Sequence, residues 1–365
     1  MTRVMNTPYI EWAKLHQAAS FNLAVSGMPH VSYDDIGGPP ADMPITGSNA
    51  YGYAPLVEGL AHKHGVASAQ VVTCTGCSMA NYLALATLIA PGDEVLIERP
   101  TYEPLLRAAA HLGASVIRFD RPAAEHCRVD AARVIAAITP RTRLIVLANL
   151  HNPSSQVVSN DVLRAIGERA HEVGARVLVD EVYLDAAFDT SPQSCVHLDP
   201  VFIATGSLTK IYGLAALRCG WIIADERFAR RAWQVADLLG NVQPFAPDWL
   251  AARALPHLPA LRARARALLD ANRATFERWA QARTDVSYLP VQHGTTICAR
   301  PRDVDASTLC AELRARFDVS IVPGHFFEMP DYVRIGLPVE PVTFAEALTR
   351  LGACLDEIRQ DAGDA

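Results

Sequence analysis

Residues 201–224 read VFIATGSLTKIYGLAALRCGWIIA. Two short apolar runs rich in β-branched residues, Val201 to Thr205 and Gly220 to Ala224, enclose a hydroxyl-bearing turn, Ser207-Leu208-Thr209-Lys210, and Arg218 follows the lysine by eight residues. A lysine in such a turn is where a chain can hold an aldehyde cofactor as a Schiff base, because burial or a nearby cation lowers its pKa and the flexible stem lets it swing. An arginine returning soon afterwards is placed to hold that cofactor's phosphate. Read alone, the segment fits equally well a surface lysine beside an ion-paired arginine, so the flanking sequence has to decide.

Outward from this stretch the same rhythm repeats. Val71 to Cys74, Glu94 to Glu98, Ser115 to Phe119, Leu144 to Ala148 and Arg176 to Asp180 read as strands, bringing the series to seven. Amphipathic helical patterns separate several of them, notably Ser78 to Ile89 and Asp161 to Val173, and Arg227 to Leu239 follows the last. The alternation predicts an α/β fold with a mostly parallel seven-stranded sheet covered on both faces by helices. Beyond Pro247 the pattern becomes a long Ala/Arg/Leu helix, Trp249 to Ala282, with Pro256 and Pro259 as breaks near its start. Strands at Thr295 to Ala299, Ser320 to Val322 and Tyr332 to Ile335 and a closing helix from Thr343 to Arg359 complete a smaller α+β domain. The expected division is a large domain over 46–250 and a small one from 1–45 plus 251–365, the former of these two parts opening with a helix and ending in Gly/Pro-rich turns around Gly37-Gly38-Pro39-Pro40.

Composition narrows the function. Half of the 365 residues are hydrophobic and the net charge is -6 with signs interspersed. Without a long basic run, nucleic acid and anionic membrane surfaces are poor partners, and a small molecule is expected. Met1 to Ile10 lacks the layout of a secretory signal, no apolar run approaches membrane-spanning length, and the eight cysteines are scattered, so a reduced, cytoplasmic protein is expected. Cys74-Thr75-Gly76-Cys77 is formally a C-x-x-C, but with no second pair it is weak support for metal or redox chemistry, and no metal is expected.

In an open α/β sheet ligands bind beyond the carboxyl ends of the strands, so the residues just after each strand carry the chemistry. After the first come Gly76, Cys77 and Ser78, whose backbone N–H groups open a helix and suit an anion, although Ser78 also fits a plain N-cap. Tyr102 follows the second and can stack on a flat ring or simply pack. The fourth ends in Asn149-Leu150-His151-Asn152-Pro153, an amide held in a turn. The fifth runs into Asp180-Glu181-Val182-Tyr183, where a carboxylate at the end of an apolar strand is costly to leave unpaired. A protonated pyridine nitrogen would pair with it, and a phenol three residues on could donate to a ring oxygen.

The order of Gly76 to Ser78, Tyr102, Asn152-Pro153, Asp180-x-x-Tyr183, Ser207-x-x-Lys210 and Arg218 resembles the class I/II aminotransferases of the aspartate aminotransferase superfamily, the type I fold of pyridoxal-phosphate enzymes. The resemblance runs from about Asn22 to Leu351. It implies that Lys210 bonds to pyridoxal 5'-phosphate and then shuttles the substrate proton. It further implies that Asp180 pairs with the ring nitrogen, that Tyr183 and Asn152 bond the ring oxygen, that Tyr102 stacks on the ring, and that Gly76, Cys77, Ser78, Ser207 and Arg218 hold the phosphate. Tyr332-Val333-Arg334-Ile335-Gly336-Leu337 resembles the segment whose arginine binds the substrate α-carboxylate, and Gly27 lies where family members place backbone beside the substrate. A planar guanidinium suits a carboxylate through two parallel hydrogen bonds.

Three departures qualify the match. Pro153 is followed by Ser154-Ser155 rather than Thr-Gly, so a different local turn is expected there. The spacing in Tyr51-Gly52-Tyr53-Ala54-Pro55 is shortened, which leaves open the tyrosine that reaches a neighbouring subunit's phosphate. No second substrate-binding arginine is evident, which disfavours a dicarboxylate. The resemblance implies transfer of the amino group of an L-amino acid to a 2-oxo acid in a homodimer. A carbon-sulfur β-lyase, a decarboxylase or a cyclising enzyme on the same fold are alternatives. A ligand-sensing module is disfavoured, because no helix-turn-helix or basic head is evident in this sequence.

Overall fold

The computed structural model describes residues 6–15, 19–189 and 193–363 of the chain. The seven expected strands form one sheet: β2 (Val71–Thr75), β3 (Glu94–Arg99), β4 (Ser115–Asp120), β5 (Thr142–Ala148), β6 (Arg176–Asp180), β7 (Phe202–Ser207) and β8 (Cys219–Ile223), in the order β2-β8-β7-β6-β5-β3-β4. All pairings among β3 to β7 are parallel, whereas β8 runs antiparallel to both of its neighbours. This reversal positions the site. The carboxyl ends of six strands meet one edge, and β8 brings its beginning to that same edge, so the residue before it, Arg218, joins the ends of the others.

The central strands are buried on both faces, which accounts for their unbroken Val/Ile/Leu runs. Helices α3 (Cys77–Leu88) and α7 (Glu226–Leu239) cover one face through a core that includes Leu83, Leu85, Val95, Ile222 and Phe228. Helix α6 (Asn160–Val173) covers the other with Leu163, Ile166 and Ala170 against Ile145, Val177 and Phe202. Two capping residues set helix starts: Ser159 accepts from Val162 N, and Asp225 accepts from Phe228 N at 3.0 Å. Shorter helices α2 (Ala54–His64), α4 (Glu103–His111) and α5 (Ala131–Ala137) fill the remaining connections.

The long helix expected over 249–282 is divided. Helix α8 (Phe245–Ala254) gives way to a 3-10 turn, Leu255–His257, and α9 (Leu258–Gln281) starts anew with Pro259 in its first turn, where a missing N–H costs nothing. A second, four-stranded antiparallel sheet follows in the order β12-β13-β10-β9, built from β9 (Val286–Tyr288), β10 (Thr296–Pro301), β12 (Val322–Pro323) and β13 (Val333–Gly336). The single strand expected at 320–322 is split by Ile321: β11 (Val319–Ser320) pairs with β1 (Phe21–Asn22), and β12 turns to pair with β13. Helices α10 (Ala306–Phe317) and α11 (Pro341–Gly363) pack together and close this part. The helical start expected at the N-terminus is α1 (Pro8–Leu15), and residues 1–5 and 16–18 of that expectation lie outside the described residues.

Candidate active site

At the carboxyl edge of the large sheet lies a cavity of about 750 Å³. Cys77, Ser78, Ser207 and Arg218 line one end of it, Tyr102, Asp180, Tyr183 and Lys210 its middle, and Gly27 and Asn152 the approach from the small sheet. Gly76 forms the turn beneath, with φ +82°, and a Cβ there would collide with the Arg218 guanidinium. The expected residues therefore converge, with one exception. Arg334 is only 1 % exposed and sits behind the cavity wall rather than in it.

The anion end combines three features. Helix α3 starts at Cys77, so its first N–H groups lack helical acceptors and face the strand edge. Gly220 has no room for a side chain against the Gly76 carbonyl carbon and Cys77 N, which keeps β8 tight against that turn. Arg218 is exposed and takes a left-handed backbone, φ 50°, to enter β8. The only hydrogen bond of its guanidinium among the described residues is a long one to Ala215 O, 3.4 Å, so its fork remains available for a phosphate.

Asp180 is the electrostatic centre. Burial pushes its carboxyl above the usual range, against hydrogen bonds from Val182 N (3.0 Å), Asn81 Nδ2 (2.7 Å) and the Cys77 thiol (3.4 Å). Asn81 is in turn fixed by Thr205, whose hydroxyl donates to Asn81 Oδ1 at 2.5 Å. A carboxylate so desolvated and so firmly aimed is completed by a cationic partner in the cavity, and a protonated pyridine is of that kind. All eight cysteines are free and buried, and burial pushes the Cys77 thiol well above its ordinary value, which leaves it a donor to Asp180.

Lys210 Nζ donates to Ser26 Oγ at 2.9 Å and stands 5.7 Å from the centre of the Tyr183 ring. Gly27 is pressed against it: a Cβ there would lie 3.3 Å from Thr209 O and 3.6 Å from Lys210 Cδ. Met28 N also donates to Lys210 O at 2.7 Å, so the segment around residues 24–30 is strapped across the lysine turn.

Arg334, on β13, donates from Nη1 to Asn152 Oδ1 (3.1 Å) and from Nη2 to Tyr9 OH (2.9 Å) and Ala24 O (3.1 Å). Its guanidinium also lies over the Phe327 ring at 4.9 Å. The Asn152 amide is thereby oriented with its NH2 left for a ligand. His151 holds the loop: the Pro100 carbonyl can only accept, so Nε2 carries the proton (3.0 Å) and Nδ1 accepts from Ser154 Oγ (2.6 Å). Burial and nearby Arg121 push the His151 pKa well down, in keeping with that neutral form. The turn after Pro153 reaches the small sheet through Ser155, at φ 58°, whose hydroxyl donates to Thr296 O at 2.9 Å.

Sequence reading missed Asn81, Thr205, Ser26 and Tyr9. Asn81 lies one helical turn after Cys77, so helical spacing could have found it. Ser26 and Tyr9 meet their partners 184 and 325 residues away, with no local signal.

The chain and its fold have close counterparts. The family model for aminotransferase class I and II matches residues 47–351. A capreomycidine synthase of Streptomyces vinaceus is 32 % identical over 272 residues, 73 % of this chain and 69 % of that protein. An arginine–pyruvate transaminase of Pseudomonas aeruginosa is 27 % identical over 79 % of this chain and 75 % of its own. Among solved structures, a PLP-dependent aminotransferase from Streptococcus suis superposes with a TM-score of 0.92 at 27 % identity, covering 98 % of this chain and 99 % of its own. The chain belongs to the class I and II aminotransferases and is a pyridoxal-phosphate-dependent transferase.

Proposed function

We propose that the cavity holds pyridoxal phosphate with its phosphate on Ser78, Ser207, Arg218 and the first N–H groups of α3, its ring nitrogen on Asp180, and its ring oxygen on Tyr183 and Asn152. When bound, the cofactor supplies an electron sink that weakens bonds at the amino-acid α-carbon. The protein's own work is then positional. Asp180 keeps the ring nitrogen protonated, and Asn81 and Cys77 hold Asp180 in line. Tyr102 packs against the ring, and Tyr183 orients it. Lys210 Nζ would be the base that takes the α-proton and returns it. Ser26 steadies that amine, and Arg334 supplies positive charge for the α-carboxylate. The convergence of Asp180, Lys210 and Arg218 on one sheet edge carries this reading.

The chain thus moves an amino group from an L-amino acid to a 2-oxo acid. Besides the lysine, Arg218 is the only Lys or Arg side chain lining the cavity among the described residues, which supports a substrate with one carboxylate rather than two. A cyclising reaction is the second reading, favoured by the relative named capreomycidine synthase. Incubating the protein with pyridoxal phosphate, a panel of L-amino acids and pyruvate or 2-oxoglutarate separates them. Amine transfer to the oxo acid supports the first; consumption of an amino acid with no oxo-acid product supports the second or a decarboxylase, and ammonia with pyruvate from cystathionine marks a β-lyase.

The division into a 46–250 domain and a 1–45 plus 251–365 domain has support in the two separate sheets. A homodimer is supported by exposed apolar groups: Ile45 and Leu238, both 85 % exposed, and Tyr51, 61 % exposed, against Trp233 at 5.7 Å. Gln243 ties this region to the site by accepting from Thr75 Oγ1 at 2.9 Å. In that homodimer we assign the role of reaching the neighbouring subunit's phosphate to the exposed Tyr51. Free, buried cysteines accord with a cytoplasmic setting.

A further inference from the structure

Arg334 has five N–H donors, and the hydrogens that matter most for a carboxylate are already committed. A carboxylate bound in the two-bond manner uses one of the two donor edges of the guanidinium, and both edges share Nη2. Both Nη2 hydrogens are taken, by Tyr9 OH and by Ala24 O. Neither acceptor is loose. The backbone beside Ala24 is held by Leu23 N donating to Ser320 O at 2.8 Å and by Gly336 N donating to Leu23 O at 2.7 Å. Tyr9 is clamped by the rings of Phe327 (5.1 Å), Phe326 (5.8 Å) and Tyr102 (5.9 Å), and its backbone N–H donates to the buried Glu103 carboxylate at 2.8 Å. Tyr9, Ala24 and Asn152 line the cavity, and they screen Arg334 from it.

We propose that the Tyr9 hydroxyl is a further substrate-binding group: it accepts from Arg334 Nη2 and donates its own proton to the α-carboxylate of the amino-acid substrate. The inference rests on Arg334 serving that carboxylate. The Tyr9 proton has no acceptor among the described residues. A phenol that accepts from a guanidinium is polarised and becomes a stronger donor. The carboxylate is then received by Tyr9 OH and Asn152 Nδ2, with the Arg334 charge one bond behind them. The group acts on carboxylate recognition alone, so it distinguishes an amino acid from the amine that lacks its carboxylate.

The test uses pyridoxal-phosphate-loaded protein and the L-amino acid converted fastest in the panel, paired with its decarboxylated amine, with dissociation constants read from the cofactor absorbance. Tyr9→Phe keeps the ring and removes the hydroxyl. The expected result is that binding of the amino acid weakens about tenfold while binding of the amine and of the cofactor is unchanged. Trp12→Leu, at a position that packs on Phe326 (5.5 Å) and does not line the cavity, disturbs the same helix without touching the Tyr9 hydroxyl and leaves the ratio of the two constants as in the parent. An unchanged or tighter amino-acid constant in Tyr9→Phe would show the hydroxyl to be a plug or a bystander, and equal weakening of both ligands would show a purely structural role; either overturns the proposal. Arg334→Gln separates the two layers of the argument. If it abolishes discrimination while Tyr9→Phe does not, only the Tyr9 proposal fails. If neither variant changes discrimination, the assignment of Arg334 to the carboxylate fails with it.

Discussion

The cavity has two walls of different construction. The cofactor-facing wall comes from one sheet, in which Asp180, Ser207 and Lys210 sit on adjacent strand ends and Arg218 opens the reversed strand beside them. The substrate-facing wall is stitched from segments distant in sequence: α1 with Tyr9 and the strap with Ala24 and Ser26, held from behind by Arg334 on β13. Sheet hydrogen bonding fixes the first wall. A few backbone bonds of the strap and side-chain bonds across long sequence separations fix the second, so it is the more easily altered without loss of the cofactor.

Substitutions in the two walls should separate accordingly. Lys210→Ala is expected to have the largest effect, lowering amine transfer by at least about a thousandfold and removing the visible band of the bound cofactor. Asp180→Asn is expected to lower turnover by roughly a hundredfold or more while keeping the fold. It carries a second signature in the cofactor-free protein. Burial raises the folded-state carboxyl above its unfolded value, so the stability associated with it is present below that unfolded value and is lost as pH rises through the folded one. Melting curves of cofactor-free protein from pH 4 to 8 should therefore show Asp180→Asn gaining on the parent by a few degrees as pH increases. No gain would mean that the carboxylate already has a partner.

Changes to the other wall should spare the cofactor. Arg334→Gln is expected to raise the KM for the amino acid on the order of a hundredfold, with cofactor affinity unchanged by titration. Gly336→Ala is a smaller perturbation. A Cβ there collides with the Val25 carbonyl and would push the strap off β13, so about a tenfold rise in KM is expected, again with the cofactor retained. Loss of cofactor in either variant would mean that the two walls are one unit.

The same contrast explains what the sequence disclosed. Seven β-branched runs and the polar residues directly after them are local patterns, so the large sheet and the places of Asp180, Tyr183, Lys210 and Arg218 just beyond its strands were legible locally, whereas the roles expected of them came from their order along the chain and the resemblance that order carries. The resemblance carried Arg334 and Gly27 further than their local sequence could. Tyr9 on α1 and Ser26 in the strap were not legible, because each matters only through a partner that tertiary packing delivers. The break of the long helix into α8 and α9 was visible in Pro256 and Pro259, but the division of 319–323 between two sheets was not, since apolar residues in sequence do not say which neighbour they will pair with.

The central claim is that this sheet edge, loaded with pyridoxal phosphate, exchanges an amino group through Lys210. The direct measurement is the absorbance of the loaded protein under single-turnover conditions as an L-amino acid is added without oxo acid, followed by a 2-oxo acid. The account requires the visible cofactor band to fall with release of one equivalent of 2-oxo acid and to return when the second oxo acid is added, with neither change in Lys210→Ala. A band that falls without oxo-acid release, or does not return, would contradict transamination.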